Sequence, residues 1–251
     1  MITAHTSARS RIPLLDADPD LGLGLSGERK AAAASLIVDI DRHWPGPWRR
    51  SYDPDEANGG IGLLLVEGVM IRRLSVADTV SAELVGSGDV VRPSRSIAGE
   101  FLLPVHARWS VLSAARVAVL DAQVAADLAT WPEIVGALLD RLAERAERIA
   151  ITQAIGQLTG VDRRLLALFR HLAERWGRVQ TNGVLIPLAL THRLLGQLVG
   201  AQRPTVTAAL TMLAERHALV RTRDGSWLLP VASECATLSR PRAGWASRHA
   251  S

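Results

Sequence analysis

The hydrophobic pattern changes character twice along the chain. Residues 60–121 hold short β-prone runs separated by turn-like segments such as GSGD at 86–89, and Val111, Ala115, Val117 and Val119 alternate in part with polar residues. Short strands with glycine-marked turns predict a compact antiparallel sandwich or barrel. Short apolar runs of this kind are also compatible with buried helix, so the pattern leaves that alternative open.

From Asp121 onward the period becomes helical. Apolar or small residues recur at a 3-4 spacing and line one stripe of a long helix, namely Leu139, Leu142, Ala146, Ile149 and Gln153. Such a stripe can pack on the preceding sandwich or form a two-stranded seam between identical chains. Small Ala146 and polar Gln153 favour the seam.

Two shorter helices and a hairpin are predicted further on. Residues 161–177 are amphipathic, with Asp162 as the expected N-cap and Gly177 at the C-terminal end. Thr191 is expected to cap the next helix, Gly200 to end it at a sharp turn, and Pro204 to lie in the first turn of the helix that follows. Residues 220–229 are predicted to form two strands around Asp224–Gly225, a strong turn signal.

This helix–turn–helix with a wing is typical of a module that binds the DNA major groove. Arginine near the start of the second helix can grip guanine in bidentate fashion, and the start of the first helix can hold phosphates. The alternative is a helical hairpin that packs on another domain. The candidate DNA-binding residues are Thr191, His192, Arg193, Gln202, Arg203, Thr205, Thr207, Ala208, Arg221 and Arg223.

Charge supports this interpretation because it is unevenly distributed. The formal net charge is +4, but residues 1–157 hold 16 basic and 20 acidic residues, whereas residues 158–251 hold 13 basic and 5 acidic residues. A basic module joined to a mildly acidic one is the asymmetry expected when one part meets a polyanion.

Composition excludes several other classes. One cysteine, Cys235, rules out an internal disulfide framework, four-cysteine zinc sites and cysteine-held iron–sulfur clusters. The seven histidines lack metal-ligand spacing, so no metal is expected. No run approaches ~18 apolar residues, and the N-terminus lacks a signal-peptide core, which predicts a cytoplasmic protein without a membrane partner. No hydrolase, nucleotide-binding or zinc-protease motif appears, so we expect no catalytic residues.

The DNA-binding motif resembles the winged helix-turn-helix of the Crp/Fnr family of transcription regulators. The residues that carry this resemblance are Thr191, Gly196, Val199, Gly200, Arg203, Thr205, Val206 and Leu210. GLLLVEGVMIRRL followed by ELVGSGDVV looks like the cyclic-nucleotide-binding-like jelly roll of these proteins. The resemblance implies an α+β chain with an N-terminal β jelly-roll sensor domain, a long dimerisation helix and a C-terminal winged helix-turn-helix.

The expected domain boundaries follow from these patterns. They are an extended or loosely packed arm at 1–27, the jelly roll at 28–121, the dimerisation helix and hinge at 122–158, the winged helix-turn-helix at 159–230, and a flexible tail at 231–251.

The chain departs from the family where members that respond to cyclic nucleotides hold the phosphate. Gly99 and Glu100 match the family's Gly-Glu segment, but Val105 and His106 stand where an Arg-Ser or Arg-Thr pair is expected. Without that arginine the phosphate loses its charged partner, and Arg108 could replace it only with a different loop path. We therefore expect weak or absent cyclic-AMP binding and no resident cofactor.

The second helix of the helix–turn–helix, which is the recognition helix in this family, also departs from the family's sequence pattern. Pro204 and Ala208 stand where the family has a glutamate and a second arginine. The resemblance implies a homodimer on an inverted-repeat operator of double-stranded DNA. RNA polymerase and an unidentified small-molecule effector are the further partners considered. The alternative is an effector- or protein-binding module whose basic domain docks on an acidic protein.

Overall fold

A computed structural model describes residues 10–48, 59–93 and 103–231. The strands are β1 (Ser10–Pro13), β2 (Ile37–His43), β3 (Gly46–Pro47), β4 (Gly62–Val76), β5 (Thr79–Gly86), β6 (Val90–Val91), β7 (Val105–Leu120), β8 (Arg178–Gln180), β9 (Gly183–Ile186), β10 (Val220–Arg221) and β11 (Trp227–Pro230). The α-helices are α1 (Leu14–Ala17), α2 (Gly27–Ala32), α3 (Ala122–Leu128), α4 (Pro132–Gly156), α5 (Val161–Trp176), α6 (His192–Val199) and α7 (Arg203–Glu215). None of the helices in these ranges is long and apolar enough to cross a membrane.

The N-terminal strands form one antiparallel sheet in the order β1-β2-β7-β4-β5, with β3 on β7 and β6 on β4. The long pair β4–β7 runs through its centre, and register shifts between Leu65 and Met70 interrupt the pairing. Such bulges bend a strand and change which side chains share a face. The α+β class with an N-terminal antiparallel sheet, expected from the sequence, is confirmed.

The inner face of this sheet carries its own apolar cluster. Val111, Ala115, Val117 and Val119, which alternate in the sequence, all lie in it. The opposite face of the same strands packs elsewhere: Leu64, Ala118 and Leu120 contact the N-terminal helices and α4. The sheet is therefore buried on both faces, which explains why its strands read as nearly continuous apolar runs.

The expectation of a loosely packed arm at 1–27 is wrong for the described residues 10–27. Strand β1 pairs with β2, so the sheet begins at Ser10. Leu14 and Leu21 are completely or almost completely buried against the sheet and α4. The prolines and glycines of this segment mark tight turns between short elements, because such residues break helices and strands wherever the chain reverses. The expected tail falls, apart from Val231, outside the described residues, as does Cys235.

Helix α4 contacts the N-terminal region through apolar residues near its start and through a row of arginines further along. Arg145 makes a bidentate ion pair with Glu83 of β5 (2.7 and 2.9 Å), and Arg141 grips Asp18, with its Nη2 3.0 Å from Oδ1. The leucines of the predicted apolar stripe are open to solvent: Leu139 is 59% exposed and Leu142 is 39% exposed. Ala146 and Gln153 are also exposed, and Ile149 is half-buried. The leucines and Ala146 are therefore open to solvent, whereas Ile149 and Gln153 line a cavity that they share with residues of β4 and β5.

The C-terminal region combines α5, α6 and α7 with a four-stranded sheet in the order β10-β11-β9-β8. The hairpin β8–β9 was not predicted. Asp162 is not the N-cap of α5: Gly160 holds that position, and Asp162 lies in the first turn. Gly177 follows the helix as predicted. Phe169 and Trp227 pack with their ring centroids 4.8 Å apart in the core of this region.

One carboxylate joins the sheet, the long helix and the C-terminal region. Asp89 lies in the turn between β5 and β6 and is only 1% exposed. It accepts hydrogen bonds from Arg148 of α4, from Arg175 Nη1 of α5 (2.8 Å) and from the Gly86 backbone N–H (2.8 Å). Arg175 also donates to the Ser87 carbonyl at 2.6 Å. We call this group of Asp89, Arg148 and Arg175 the Asp89 node.

Replacing Asp89 with asparagine should lower the free energy of unfolding by about 2–3 kcal/mol, because it removes the buried charge that two half-buried guanidinium groups pair with. Asp78→Asn, in the exposed β4–β5 turn, is the matched control and should change it by less than about 0.5 kcal/mol. Urea unfolding of both variants measures the difference. Equal stabilities would contradict the proposed importance of the node.

Candidate nucleic-acid interface

Helices α6 and α7 form the predicted helix–turn–helix. The Thr191 hydroxyl accepts a hydrogen bond from the Leu194 backbone N–H (3.2 Å) and caps α6 as expected. Gly200 ends the helix in the left-handed conformation, with φ of +65°, and Pro204 lies in the first turn of α7. These signals are local in the sequence, which is why they could be read correctly.

Gly196 sets the close approach of the two helices. The Ala201 N–H donates to the Gly196 carbonyl at 2.9 Å. A Cβ at position 196 would lie 2.4 Å from the Ala201 carbonyl oxygen, so a side chain there would push the turn away from α6. The glycine therefore holds α7 in place against α6.

The outer face of α7 is free for a ligand. Val206, Leu210 and Leu213 are buried, as the stripe predicted. The exposed residues at its N-terminal end are Gln202, Arg203, Pro204, Thr205, Thr207 and Ala208. The helix thus presents a cationic side chain and small polar groups at the end that enters a groove in this class of module.

The threonine hydroxyls on this face are engaged within the helix. Thr207 Oγ1 donates to the Arg203 carbonyl (3.0 Å), and Thr211 Oγ1 donates to the Thr207 carbonyl (3.2 Å). Because each hydroxyl has one proton, these side chains offer only a methyl group or an accepting oxygen outward. A methyl contact from Thr207 to thymine agrees with this geometry.

His192 at the start of α6 contacts the recognition face directly. Its Nδ1 lies 2.9 Å from Thr207 Oγ1. Since the Thr207 proton is directed at Arg203, Nδ1 of the imidazole is the donor. Burial first, and then the nearby Arg221 and Arg203 guanidinium groups, lower the pKa of His192 below its ordinary value. The lowered pKa favours the neutral imidazole, in which Nδ1 carries the proton and Nε2 is an acceptor.

The wing is a rigid turn between β10 and β11. Asp224 accepts hydrogen bonds from Thr222, from the Ser226 N–H (3.2 Å) and from the Ser226 hydroxyl (3.0 Å). These bonds lower the pKa of the Asp224 carboxyl. Arg221 lies over the Trp227 ring at 5.6 Å, and Arg223 stands in the turn itself rather than on the strand before it. Both arginines are exposed.

The structure adds a residue that the sequence did not suggest. Arg73 of β4 donates to Gln197 of α6 (3.1 Å) and to Ser110 of β7 (2.7 Å). Burial and the neighbouring Arg193 lower the pKa of Arg73. Arg193, predicted to hold phosphate, is therefore close to the N-terminal sheet. No local pattern could reveal this, because the contact joins residues more than 120 positions apart.

The residues predicted to hold an effector are only partly described. Gly99 and Glu100 lie outside the described residues. Arg108 is an exposed residue of β7 and stands directly opposite Arg73 of β4. Opposite residues of an antiparallel pair share a face, so Arg108 lies on the side of the sheet that meets α6, away from the inner cluster.

Comparisons with known proteins agree with this architecture. No protein-family model matches the chain. A curated relative, named as HTH-type transcriptional regulator ycf28 of Porphyra purpurea, is 38% identical over 53 residues, which span 21% of this chain and 22% of that protein. The chain thus matches about a fifth of the length of this relative.

Solved structures are similar over most of the chain. A CooA mutant from Carboxydothermus hydrogenoformans superposes with a TM-score of 0.59 at 14% identity, covering 90% of this chain and 92% of the other. A cyclic nucleotide-binding domain containing protein from Listeria monocytogenes gives 0.60 at 16% identity, covering 76% and 89%. A CRP-family transcriptional regulator from Thermus thermophilus gives 0.56 at 16% identity, covering 76% and 91%. The chain has the fold of CRP/FNR regulators, and the resemblance stated from the sequence is confirmed at that level.

The protonation of His192 can be measured by NMR titration of its ring protons. The midpoint should lie below about 6.5, the ordinary value for histidine. Arg221→Ala should raise the pKa, because it removes a cation that opposes the imidazolium form. Arg178→Ala, in β8, is the control and should leave the pKa unchanged. A midpoint above 6.5, or one insensitive to Arg221, would contradict the assignment.

Proposed function

We propose that this chain is a sequence-specific, DNA-binding transcription regulator that acts as a homodimer on an inverted-repeat operator. The observation that carries the proposal is the outer face of α7, where exposed Arg203 and small polar residues stand clear of a fully packed helix–turn–helix. His192 contacts that face through Thr207, and the Arg221 guanidinium lies near His192. We infer a cytoplasmic, non-enzymatic protein with no resident cofactor.

The proposed contacts with DNA are of two kinds, those to base edges and those to backbone phosphates. Arg203, Thr205, Thr207 and Ala208 occupy the part of α7 that would read base edges in the major groove. The start of α6 and the wing residues Arg221 and Arg223 would hold phosphates and so fix the orientation of the helix. A phosphate beside His192 would raise its pKa, so DNA binding would take up a proton as the pH falls toward the ordinary histidine value.

The exposed stripe of α4 supports the homodimer. Leu139 and Leu142 lie on the side of the helix that does not contact the chain's own sheet, with Ala146 and Gln153 continuing the same line. Exposed leucines repeating at this spacing are the pattern of a two-stranded helical seam. Two-fold pairing through α4 would place two α7 helices on half-sites about one helical turn apart.

The names of the similar proteins support a regulator. The curated relative is an HTH-type transcriptional regulator, and the Thermus thermophilus protein is a CRP-family transcriptional regulator. The Xanthomonas campestris protein CLP, described as a c-di-GMP responsive global regulator, is similar with a TM-score of 0.55 at 16% identity over 78% of this chain and 95% of the other. For the present chain the effector is not identified, and weak or absent cyclic-AMP binding remains our prediction.

Selection of bound sites from a random DNA pool tests the proposal as a whole. Purified full-length protein should enrich an inverted repeat, and its affinity should fall steeply with salt, by ~0.9 in log K per log salt for each phosphate contact. Enrichment of no sequence, together with salt-insensitive retention of DNA, would overturn it. Binding to an acidic protein but not to DNA would favour the alternative docking module.

Arg203→Ala should weaken binding to the selected operator by ~1–3 kcal/mol and relax the preference at one base position in each half-site. Arg216→Ala is the matched control, since Arg216 is an exposed arginine at the other end of α7. Binding titrations of each variant with the operator and with a scrambled duplex distinguish base recognition by Arg203 from phosphate binding. An equal loss on both duplexes would make Arg203 a phosphate anchor.

Leu142→Glu should disrupt the homodimer, because the seam would have to bury a charge on both chains. Sedimentation should show a dimer dissociation constant raised at least about tenfold. Ala154→Glu introduces the same charge at an exposed position of α4 away from the stripe and should leave the dimer intact. A Leu142→Glu variant that stays dimeric would place the dimer contact elsewhere.

A further inference from the structure

A group of basic residues lies on the N-terminal sheet beside the helix–turn–helix. Arg73 of β4 and Arg108 of β7 are directly opposite in the antiparallel pair, and His106 faces Ser75 two residues along on the same side. Like charges at directly opposite positions destabilise a strand pair. Their placement therefore calls for a compensating negative charge.

The described part of the chain does not provide that charge. Arg73 is held by two neutral oxygens, those of Gln197 and Ser110. Neither Arg108 nor Arg193 forms a hydrogen bond or ion pair with a residue that the structure describes. By contrast, the other arginines of the β4–β5 hairpin and α4 face carboxylates, such as Arg72 and Arg145 on Glu83.

This surface is continuous with the proposed DNA-binding face. Arg193 stands next to His192, which contacts α7, and one turn before Gln197, which contacts Arg73. The proximity of Arg193 to Arg73 is also seen in the lowered pKa of Arg73. Arg108 lies one strand further from α6 than Arg73, since the two arginines are directly opposite in the β4–β7 pair.

We propose that Arg73, Arg108 and Arg193 form a second DNA-contacting surface, which binds backbone phosphates of the duplex flanking each half-site. This inference rests on the proposed function and extends the interface from the C-terminal region onto the N-terminal sheet. Phosphate is the expected ligand because guanidinium groups bind it in bidentate fashion, and because Arg193 itself belongs to the start of α6 that is assigned to the operator backbone. The contact carries no base specificity.

The test compares two duplexes built on the selected operator, one ending at the outer edges of the half-sites and one extended by about ten base pairs on each side. Wild-type protein should bind the extended duplex more tightly and with a steeper salt dependence. Arg108→Gln should weaken binding to the extended duplex about threefold to tenfold, lower its salt slope by about 0.9, and leave the short duplex unaffected. Arg108 is the informative position because it makes no contact with α6 that Arg108→Gln would break.

Two controls keep the result interpretable. Arg11→Gln removes an exposed arginine from β1 of the same sheet and should change binding to neither duplex. Arg108→Lys keeps the charge and should retain most of the extended-duplex affinity, which separates loss of charge from loss of folding. Equal affinity of Arg108→Gln and wild type for the extended duplex, or an equal loss on both duplexes, would overturn the inference. Absence of any operator in the selection would instead overturn the proposed function.

Discussion

One buried carboxylate ties the modules together at the turn between β5 and β6. Asp89 is 1% exposed and accepts hydrogen bonds from Arg148 of α4, from Arg175 of α5 and from the Gly86 backbone N–H. A buried charge is tolerated only while its partners stay in position. The Asp89 node therefore fixes the helix proposed to form the dimer and the first helix of the C-terminal region against the same turn of the sheet. The spacing of two recognition helices in a dimer would follow from it.

A second polar contact acts at the other end of this junction. Arg73 links β4 to Gln197 in the first helix of the helix–turn–helix, about one turn from its start. With the Asp89 node it holds the C-terminal region at two separate places, on α5 and on α6. A change in the sheet that moved either contact would alter the orientation of α7. The junction also contains apolar contacts, because Val69 and Ile71 of β4 lie in the same buried cluster as residues of α5 and α6.

Features of the fold that depend on neighbouring residues could be predicted from the sequence, whereas contacts between distant residues could not. The Thr191 cap, the Gly200 turn, Pro204 and the wing depend on residues within a few positions of each other, and the structure has each of them where expected. The packing of residues 10–27 and the role of Arg73 depend on partners far along the chain. Periodicity cannot supply those partners, since it reports which face is apolar but not what covers it.

The distribution of charge along the sequence also does not show which charged side chains pair with each other in the fold. The basic excess of residues 158–251 suggests that the C-terminal arginines face DNA. However, Arg164 donates to the carbonyls of Leu158 (2.6 Å) and Val199 (3.3 Å), and Arg175 binds Asp89. These two cations are engaged in holding the fold. Conversely, Arg73 and Arg108 belong to the segment with net negative charge, yet they lie beside α6 without a carboxylate partner in the described chain. The electrostatic surface offered to DNA is therefore set by pairing within the fold rather than by the net charge of a segment.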